Sequence, residues 1–173
     1  MREIKQLIPE DFCLSCHGCC RYAARDTAWT PVFLFDEIVE LTEKNIVPSC
    51  LFTHPNNHKK RAAGIDLIEE GEGFVCPCLD SSENKCKIYS FRPLDCRLYP
   101  FLLARKEDVF YLALDENCPF IQNAENSAMI KQYIQELKTF LTSPEFLKTA
   151  KKNPEIFQQY PPEIQFLTPL LGL

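Results

Sequence analysis

Residues 13–20 read CLSCHGCC and place four cysteines within eight positions. Cys13, Cys16 and Cys19 form a C-x2-C-x2-C pattern, and Cys20 follows at once. Gaps of two residues let the chain curl around one ion or cluster, with backbone N–H groups turned towards the sulfurs. Because adjacent side chains diverge from the backbone, Cys19 and Cys20 need not bind the same metal. The segment indicates either a metal site or, if oxidised, a knot of disulfides.

A second group of cysteines occupies residues 76–100, which read CPCLDSSENKCKIYSFRPLDCRLYP, and Cys118-Pro119 follows. Cys76 and Cys78 open this group, and Cys78, Cys86 and Cys96 stand eight and ten residues apart, at loop-like separations. Eight cysteines, four early and four late, supply enough sulfur for two tetrahedral sites or for one cluster with ligands to spare.

Two arginines stand beside the second group of thiols. Arg92 precedes a proline, and Arg97 directly follows Cys96. A guanidinium group can donate hydrogen bonds to thiolates and offset their negative charge. It also lowers the pKa of a thiol, which favours metal binding at neutral pH. We expect Arg92 and Arg97, with Tyr89, to lie in contact with the metal-binding sulfurs.

Composition narrows the function classes. The chain has 173 residues, ten cysteines, five glycines and a formal net charge of −5. So few glycines leave no phosphate-binding loop, and the acidic balance argues against a nucleic-acid binder. No apolar segment of signal-peptide or membrane-spanning length is present, which predicts a cytoplasmic protein that does not bind membranes. Thiols stay reduced in that compartment.

Three interpretations of the cysteines compete. Structural disulfides are disfavoured by the expected reducing compartment. A thioredoxin-like redox pair requires one C-x-x-C motif on a βαβ frame, and that pattern is absent. Thiolate-bound metal is therefore the favoured interpretation. His17 within the first cluster, and the Cys50-x3-His54-x3-His58 series, are secondary candidates that we expect to be ordinary loop residues.

The stretches CLSCHGCC (13–20) and CKIYSFRPLDCRLYPF (86–101) together resemble the zinc- or iron-chelating CxxCxxCC domain family, the YkgJ-like cysteine-cluster proteins. Flagellin lysine N-methylases share this domain. The resemblance runs from Cys13 to about Cys118, and it leaves Cys50 and Cys76 outside the family pattern. It implies a metal centre held by Cys13, Cys16, Cys19, Cys20, Cys78, Cys86, Cys96 and Cys118. Cys76 is the most plausible substitute, in place of Cys78.

The sequence predicts an α+β fold made of a small cysteine-rich, metal-centred part with short hairpins, followed by helices. Hairpins are expected at 64–76 and 100–115, the second turning at 106–108, because short apolar runs flank polar or glycine-containing turns. A helix is expected from an N-cap at Asp36 to about Asn45. The domain boundaries are 1–120 for the cysteine-cluster domain and 121–173 for a helical extension that packs on it.

The extension carries three helix signals and a tail. Apolar residues recur at helical spacing between 130 and 141. Ser-Pro-Glu at 143–145 and Asn-Pro-Glu at 153–155 are typical of helix starts. A proline-rich tail is expected from Pro161.

All-cysteine ligation suits both Zn²⁺ and an iron–sulfur cluster of the 4Fe-4S type. The C-x2-C-x2-C spacing, the remote Cys118-Pro119 and the flanking arginines slightly favour iron–sulfur over zinc. The role would be structural, metal-handling or redox. A lysine-methyltransferase-related enzyme, implied by the resemblance, and an electron-transfer protein are the alternatives. The expected partner is the metal ion or cluster, and the sequence does not identify a protein partner.

Overall fold

A computed structural model describes residues 4–16, 18–53 and 61–171, in which short helices alternate with small antiparallel sheets. The helices are α1 (Glu10–Ser15), α2 (Phe35–Glu43), α3 (Leu94–Leu98), α4 (Pro119–Gln122), α5 (Ser127–Leu141) and α6 (Pro144–Lys152). The strands are β1 (Arg21–Tyr22), β2 (Val32–Phe33), β3 (Phe52–Thr53), β4 (Ala63–Ile65), β5 (Ile68–Glu70), β6 (Gly73–Val75), β7 (Leu79–Asp80), β8 (Lys85–Cys86), β9 (Phe101–Lys106), β10 (Val109–Leu114) and β11 (Gln165–Pro169). The fold class is α+β, as the sequence predicts.

The longest hairpin joins β9 to β10. Its strands pair from Phe101 with Leu114 to Lys106 with Val109, and Glu107 takes the left-handed conformation in the turn. This confirms the hairpin expected at 100–115. The proline-rich tail is more ordered than expected, because β11 pairs with the other edge of β10. That strand buries part of its surface by placing Phe166 against Tyr111, with ring centroids 5.0 Å apart.

The remaining sheets lie closer to the cysteines. The hairpin expected at 64–76 is formed by β5 and β6, and it turns at Gly71, whose φ of 62° favours glycine. Strand β1, which follows the first cysteine cluster, pairs with β6. Strands β2, β4 and β3 form another small sheet, and β7 pairs with β8. The early and late cysteine segments are thus joined by backbone pairing.

The N-cap of helix α2 lies two residues before the predicted one. Leu34 is the N-cap residue, and Asp36 lies inside the helix. The carboxylate of Glu37 accepts the Leu34 N–H at 2.9 Å, so an acidic side chain three residues into the helix does the capping. Helix α6 has its predicted Ser143 cap, which accepts the N–H of Phe146. The third helix signal gives a single 3-10 turn, Pro154–Ile156.

A shared core joins the two parts of the chain on either side of residue 120. Phe101 and Leu112 of the β9–β10 hairpin pack in one cluster with Leu137 of α5 and Phe146 of α6, and all are almost fully buried. The boundary at 120 stays a prediction. None of the helices in the described ranges has both the length and the apolar character that a membrane crossing requires.

Candidate metal centre

One cavity of about 790 Å³ lies between the first cysteine cluster, the β7–β8 hairpin and α3. Both cysteine groups contribute to its wall, so segments more than 50 residues apart in the chain meet there. The thiols on the wall are those of Cys13, Cys16, Cys19, Cys20, Cys76, Cys78, Cys86 and Cys96. All ten cysteines of the chain are free rather than joined in disulfides.

The cavity wall differs from the expected ligand set at two positions. Cys118 is buried and does not line the cavity. It lies close enough to Cys13 and Cys16 for electrostatic interaction with both thiols. Cys76, which lies outside the family pattern, does line it. Cys50 is exposed and is not part of the wall. His17, His54 and His58 lie outside the described residues.

The early cysteines are held on a short helix and the turn after it. Pro9 precedes α1, and Glu10 and Asp11 occupy the first turn, where acidic groups are favoured. The helix ends at Ser15, because the backbone of Cys16 is already extended. The N–H of Cys16 still donates to the carbonyl of Phe12. The chain then turns through Cys19 and Cys20 into β1. Cys13 therefore lies on the helix and the other three thiols lie beyond it.

Asn84 fixes this turn to the second cysteine group. Its amide nitrogen donates to the carbonyl of Leu14 at 2.6 Å and to that of Cys16 at 3.3 Å. Its amide oxygen accepts from the guanidinium of Arg21 at 2.7 Å. The backbone of Asn84 takes a left-handed φ of 52° in the β7–β8 turn. Its side chain, however, bridges two cysteine segments.

Replacing Asn84 with glycine tests this bridge. Glycine accepts the left-handed backbone without strain, so the variant removes only the side-chain hydrogen bonds. At roughly 0.5–1.5 kcal/mol for each bond, we expect a loss of about 2–3 kcal/mol in the free energy of unfolding, measured by denaturant titration. Asn45→Gly is the matched control. Asn45 has a φ of 54° and is exposed, and within the described residues its side chain makes no hydrogen bond. Equal stability of the two variants would contradict the bridging role.

The late cysteines come from three adjoining elements. The N–H of Cys76 donates to the carbonyl of Cys20 at 3.1 Å, which brings the two groups into direct contact. Cys86 lies on β8, opposite Leu79 of β7. Cys78 accepts the N–H of Lys87 through its carbonyl. Cys96 lies in the middle of α3.

Arg92 places a positive charge near the cavity thiols. It lines the cavity, and its charge lowers the pKa of Cys13, Cys19 and Cys86 against other effects that raise them. The guanidinium lies 3.6 Å from the centre of the Tyr89 ring, and its Nε donates to the Tyr89 carbonyl. Tyr89, also on the wall, therefore fixes the position of Arg92.

Gln6 completes this cluster, although no pattern in the sequence indicated it. Its side-chain oxygen accepts from Arg92 and, at 3.3 Å, from the hydroxyl of Tyr89. Its amide nitrogen lies 3.6 Å from the sulfur of Cys13, where it donates a hydrogen bond. Gln6 thus links the guanidinium to a cavity thiol.

Arg97 occupies a different position from the one expected. It does not line the cavity. Its guanidinium pairs with Glu37 of α2 at 3.4 Å, and the same carboxylate accepts the N–H of Leu94 at 2.8 Å. Burial raises the pKa of Glu37 more than these bonds lower it. The position of Arg97 therefore supports a role in fixing α3 to α2 rather than contact with the sulfurs.

Several of the cavity thiols resist ionisation in spite of the positive charge of Arg92. Burial, reinforced by the charge of Cys19, raises the pKa of Cys13 to about 11. Burial is also the main cause of the raised pKa values of Cys86 and Cys96, while a hydrogen bond with Cys78 is the main cause for Cys76. Crowded thiols of this kind give up their protons when a metal ion supplies the compensating charge. Their chemistry matches zinc and iron–sulfur ligation.

The thiols share a cavity but do not close on a single point. Among the described residues, no three cysteine, histidine or acidic side chains are arranged as the ligands of one ion. The donor chemistry fits a thiolate-bound metal. A family model described as "Putative zinc- or iron-chelating domain", CxxCxxCC, matches residues 12–159.

The chain belongs to the CxxCxxCC family. The match extends beyond the cysteines and includes α5 and α6, so the C-terminal helices are part of the family unit. Neither a curated protein nor a solved structure matches the chain. Membership of the CxxCxxCC family supports metal binding by this chain, with zinc and iron as the metals that the family description names.

Proposed function

We propose that the cysteine-lined cavity holds a thiolate-bound metal centre. The observation that carries the proposal is the meeting of the early and late cysteines on one cavity wall. The proposed ligands are those implied by the family pattern, Cys13, Cys16, Cys19, Cys20, Cys78, Cys86, Cys96 and Cys118. Cys76 is the alternative to one of them, because it lies on the wall, whereas Cys118 is buried and does not line the cavity.

We propose an iron–sulfur cluster, with zinc as the alternative. Iron–sulfur clusters are held by thiolates, and hydrogen bonds to the sulfurs tune their potentials. Gln6 supplies such a bond to Cys13, and Arg92 supplies positive charge. The cluster would contribute electron transfer or Lewis acidity. The residues of the chain would hold it, limit its contact with water and offset its charge. A reducing compartment such as the cytoplasm suits ten free thiols.

Anaerobic purification followed by measurement of iron, zinc and acid-labile sulfide tests both parts of the proposal. We expect brown protein with iron and sulfide in similar amounts, because inorganic sulfide is a component of a cluster and not of a zinc site. Colourless protein with stoichiometric zinc would establish the alternative and exclude a redox role, since zinc is redox-silent. Protein that retains neither metal, in spite of reduced thiols, would contradict the proposed function.

A further inference from the structure

Part of the cavity wall is formed by aromatic and acidic side chains rather than by thiols. We define this part, the aromatic chamber, by Trp29, Tyr99, Tyr160, Asp95 and Asp115, all of which line the cavity. The whole cavity, at about 790 Å³, falls within the range of roughly 300–1,000 Å³ typical of small-molecule sites. A metal centre alone leaves the chamber without an assigned occupant.

The aromatic side chains of the chamber have a firm backing. The rings of Trp29 and Tyr160 lie with their centroids 5.0 Å apart. Together with Tyr99 they pack against a buried cluster that includes Leu102 of β9 and Ile164. The three rings come from segments that are distant from one another in sequence, so the chamber exists only in the folded protein. These rings offer π-faces, which attract cations.

In the described ranges, neither acidic side chain of the chamber forms an ion pair with a lysine, arginine or histidine. Asp115 is 6% exposed, and its oxygens accept from the hydroxyl of Tyr99 at 2.8 Å and from the N–H of Asn117 at 3.0 Å. Asp95 accepts the N–H of Val32 at 3.0 Å, and burial raises its pKa to about 7. A buried carboxylate such as that of Asp115 is costly unless a cation compensates it.

The charged groups elsewhere on the cavity wall do not supply that cation. Arg92 is engaged by Tyr89 and Gln6, and Arg21 is engaged by Asn84. Glu163, also on the wall, adds another acid. Tyr160 lies close to both chamber carboxylates, since Asp95 and Asp115 add to the effect of burial in raising its pKa. Aromatic faces and acids therefore converge on one part of the cavity.

We propose that the aromatic chamber binds an organic ammonium group next to the cysteine cluster. The carboxylate of Asp115 compensates the charge, while Trp29 and Tyr160 provide cation–π contact and apolar surface for the attached carbons. This inference goes beyond the proposed metal site, and it holds or fails whichever metal the cysteines bind. It assigns the cavity an organic ligand and places that ligand beside the proposed metal centre.

Trp29 is the only tryptophan of the chain, so its fluorescence reports directly on the chamber. The anaerobically purified protein is titrated at constant ionic strength with tetramethylammonium, which has no lone pair and cannot ligate a metal. Neutral tert-butanol, of similar shape, is the comparison ligand. We expect a saturable fluorescence change with tetramethylammonium only. No saturable change, or an equal response to tert-butanol, would overturn the proposal.

Two variants identify the groups responsible. Asp115→Asn keeps an acceptor for Tyr99 and removes the charge, and it should weaken tetramethylammonium binding at least tenfold. Asp108→Asn, in the exposed β9–β10 turn, is the control and should bind as the original protein does. Tyr160→Leu keeps apolar volume and removes the ring, which should cost about 5- to 30-fold in affinity. If Asp115→Asn fails to fold, Tyr160→Leu still tests whether the chamber binds the cation. Unchanged affinity in a folded variant would refute the assignment.

A free amine and a lysine side chain present the same chemistry to the chamber. Titrations with n-butylammonium and with a short blocked peptide containing one lysine separate the two sources. Binding of the small cation alone supports a free amine, and binding of the peptide at equal or lower concentration supports a lysine side chain. Failure of both to bind, together with tetramethylammonium, would contradict the proposal.

Discussion

Cys16→Ala and Cys96→Ala are each expected to lose the bound metal and much of the stability that it confers. The two residues represent the early and the late cysteine groups, and both line the cavity. Changes in residues that only support the ligands typically cost about 10- to 100-fold in metal affinity, so loss of a ligand should cost more. A 100-fold loss of affinity removes about 2.7 kcal/mol of ligand-dependent stability when the metal is in excess.

The measurement is metal content per chain together with the melting temperature, compared with Cys50→Ala. Cys50 is exposed and lies off the cavity, so its removal should leave the metal unchanged and alter stability by no more than about 0.5 kcal/mol. Retention of metal and melting temperature by both cavity variants would contradict the ligand assignment. Loss in Cys96→Ala alone would restrict the site to the late group.

Glu37→Ala should be strongly destabilising, because this one side chain caps α2 and also joins α2 to α3. Its carboxylate caps α2 through Leu34, accepts the N–H of Leu94 at the start of α3, and pairs with Arg97. The substitution leaves these donors without an acceptor in a largely buried place. Hydrogen bonds to charged groups contribute about 1.5–3 kcal/mol each, and we expect a total loss of about 3–4 kcal/mol after allowance for solvent around Arg97.

Loss of Glu37 should also weaken the proposed metal centre, because α3 carries Cys96. We expect lower metal content in Glu37→Ala, and partial recovery of stability in Glu37→Gln, which keeps an acceptor oxygen. Glu40→Ala on the same helix is the control, because Glu40 is exposed and bonds only to Lys44, at 2.6 Å. Such exposed pairs contribute about 0.3–0.5 kcal/mol. Equal destabilisation by Glu37→Ala and Glu40→Ala, measured by denaturant titration, would refute the role of Glu37.

The elements that the sequence predicted are those with local signals. Alternating apolar runs around short turns predicted both hairpins, and 3.6-residue periodicity with a serine cap predicted α5 and α6. Strand β11 gave no such signal. It forms because β10 presents a free edge, and that edge comes from residues about 50 positions earlier. Pairing of distant segments depends on the tertiary structure and cannot be read from a window of sequence.

The candidate site likewise combines residues that have a local sequence signal with residues that have none. Seven of the eight cysteines predicted as ligands line the cavity, and so does Arg92; these residues were predicted from their spacing and charge. Gln6, Asn84 and Asp115 were missed, because a single glutamine, asparagine or aspartate is common on protein surfaces. Their importance comes from contacts that span up to 86 positions, as between Gln6 and Arg92. Arg97 has the same sequence context as a thiol-binding arginine, but it faces Glu37.

Alkylation of Cys16 and Cys50 tests the account most directly, since neither residue is buried and only Cys16 lines the cavity. The anaerobically purified protein is treated with iodoacetamide, with and without a metal chelator, and modification is quantified at each cysteine by mass spectrometry. We predict that Cys50 reacts in both conditions and that Cys16 reacts only after the chelator has removed the metal. Modification of Cys16 at the same rate with and without chelator would contradict a thiolate-bound metal centre.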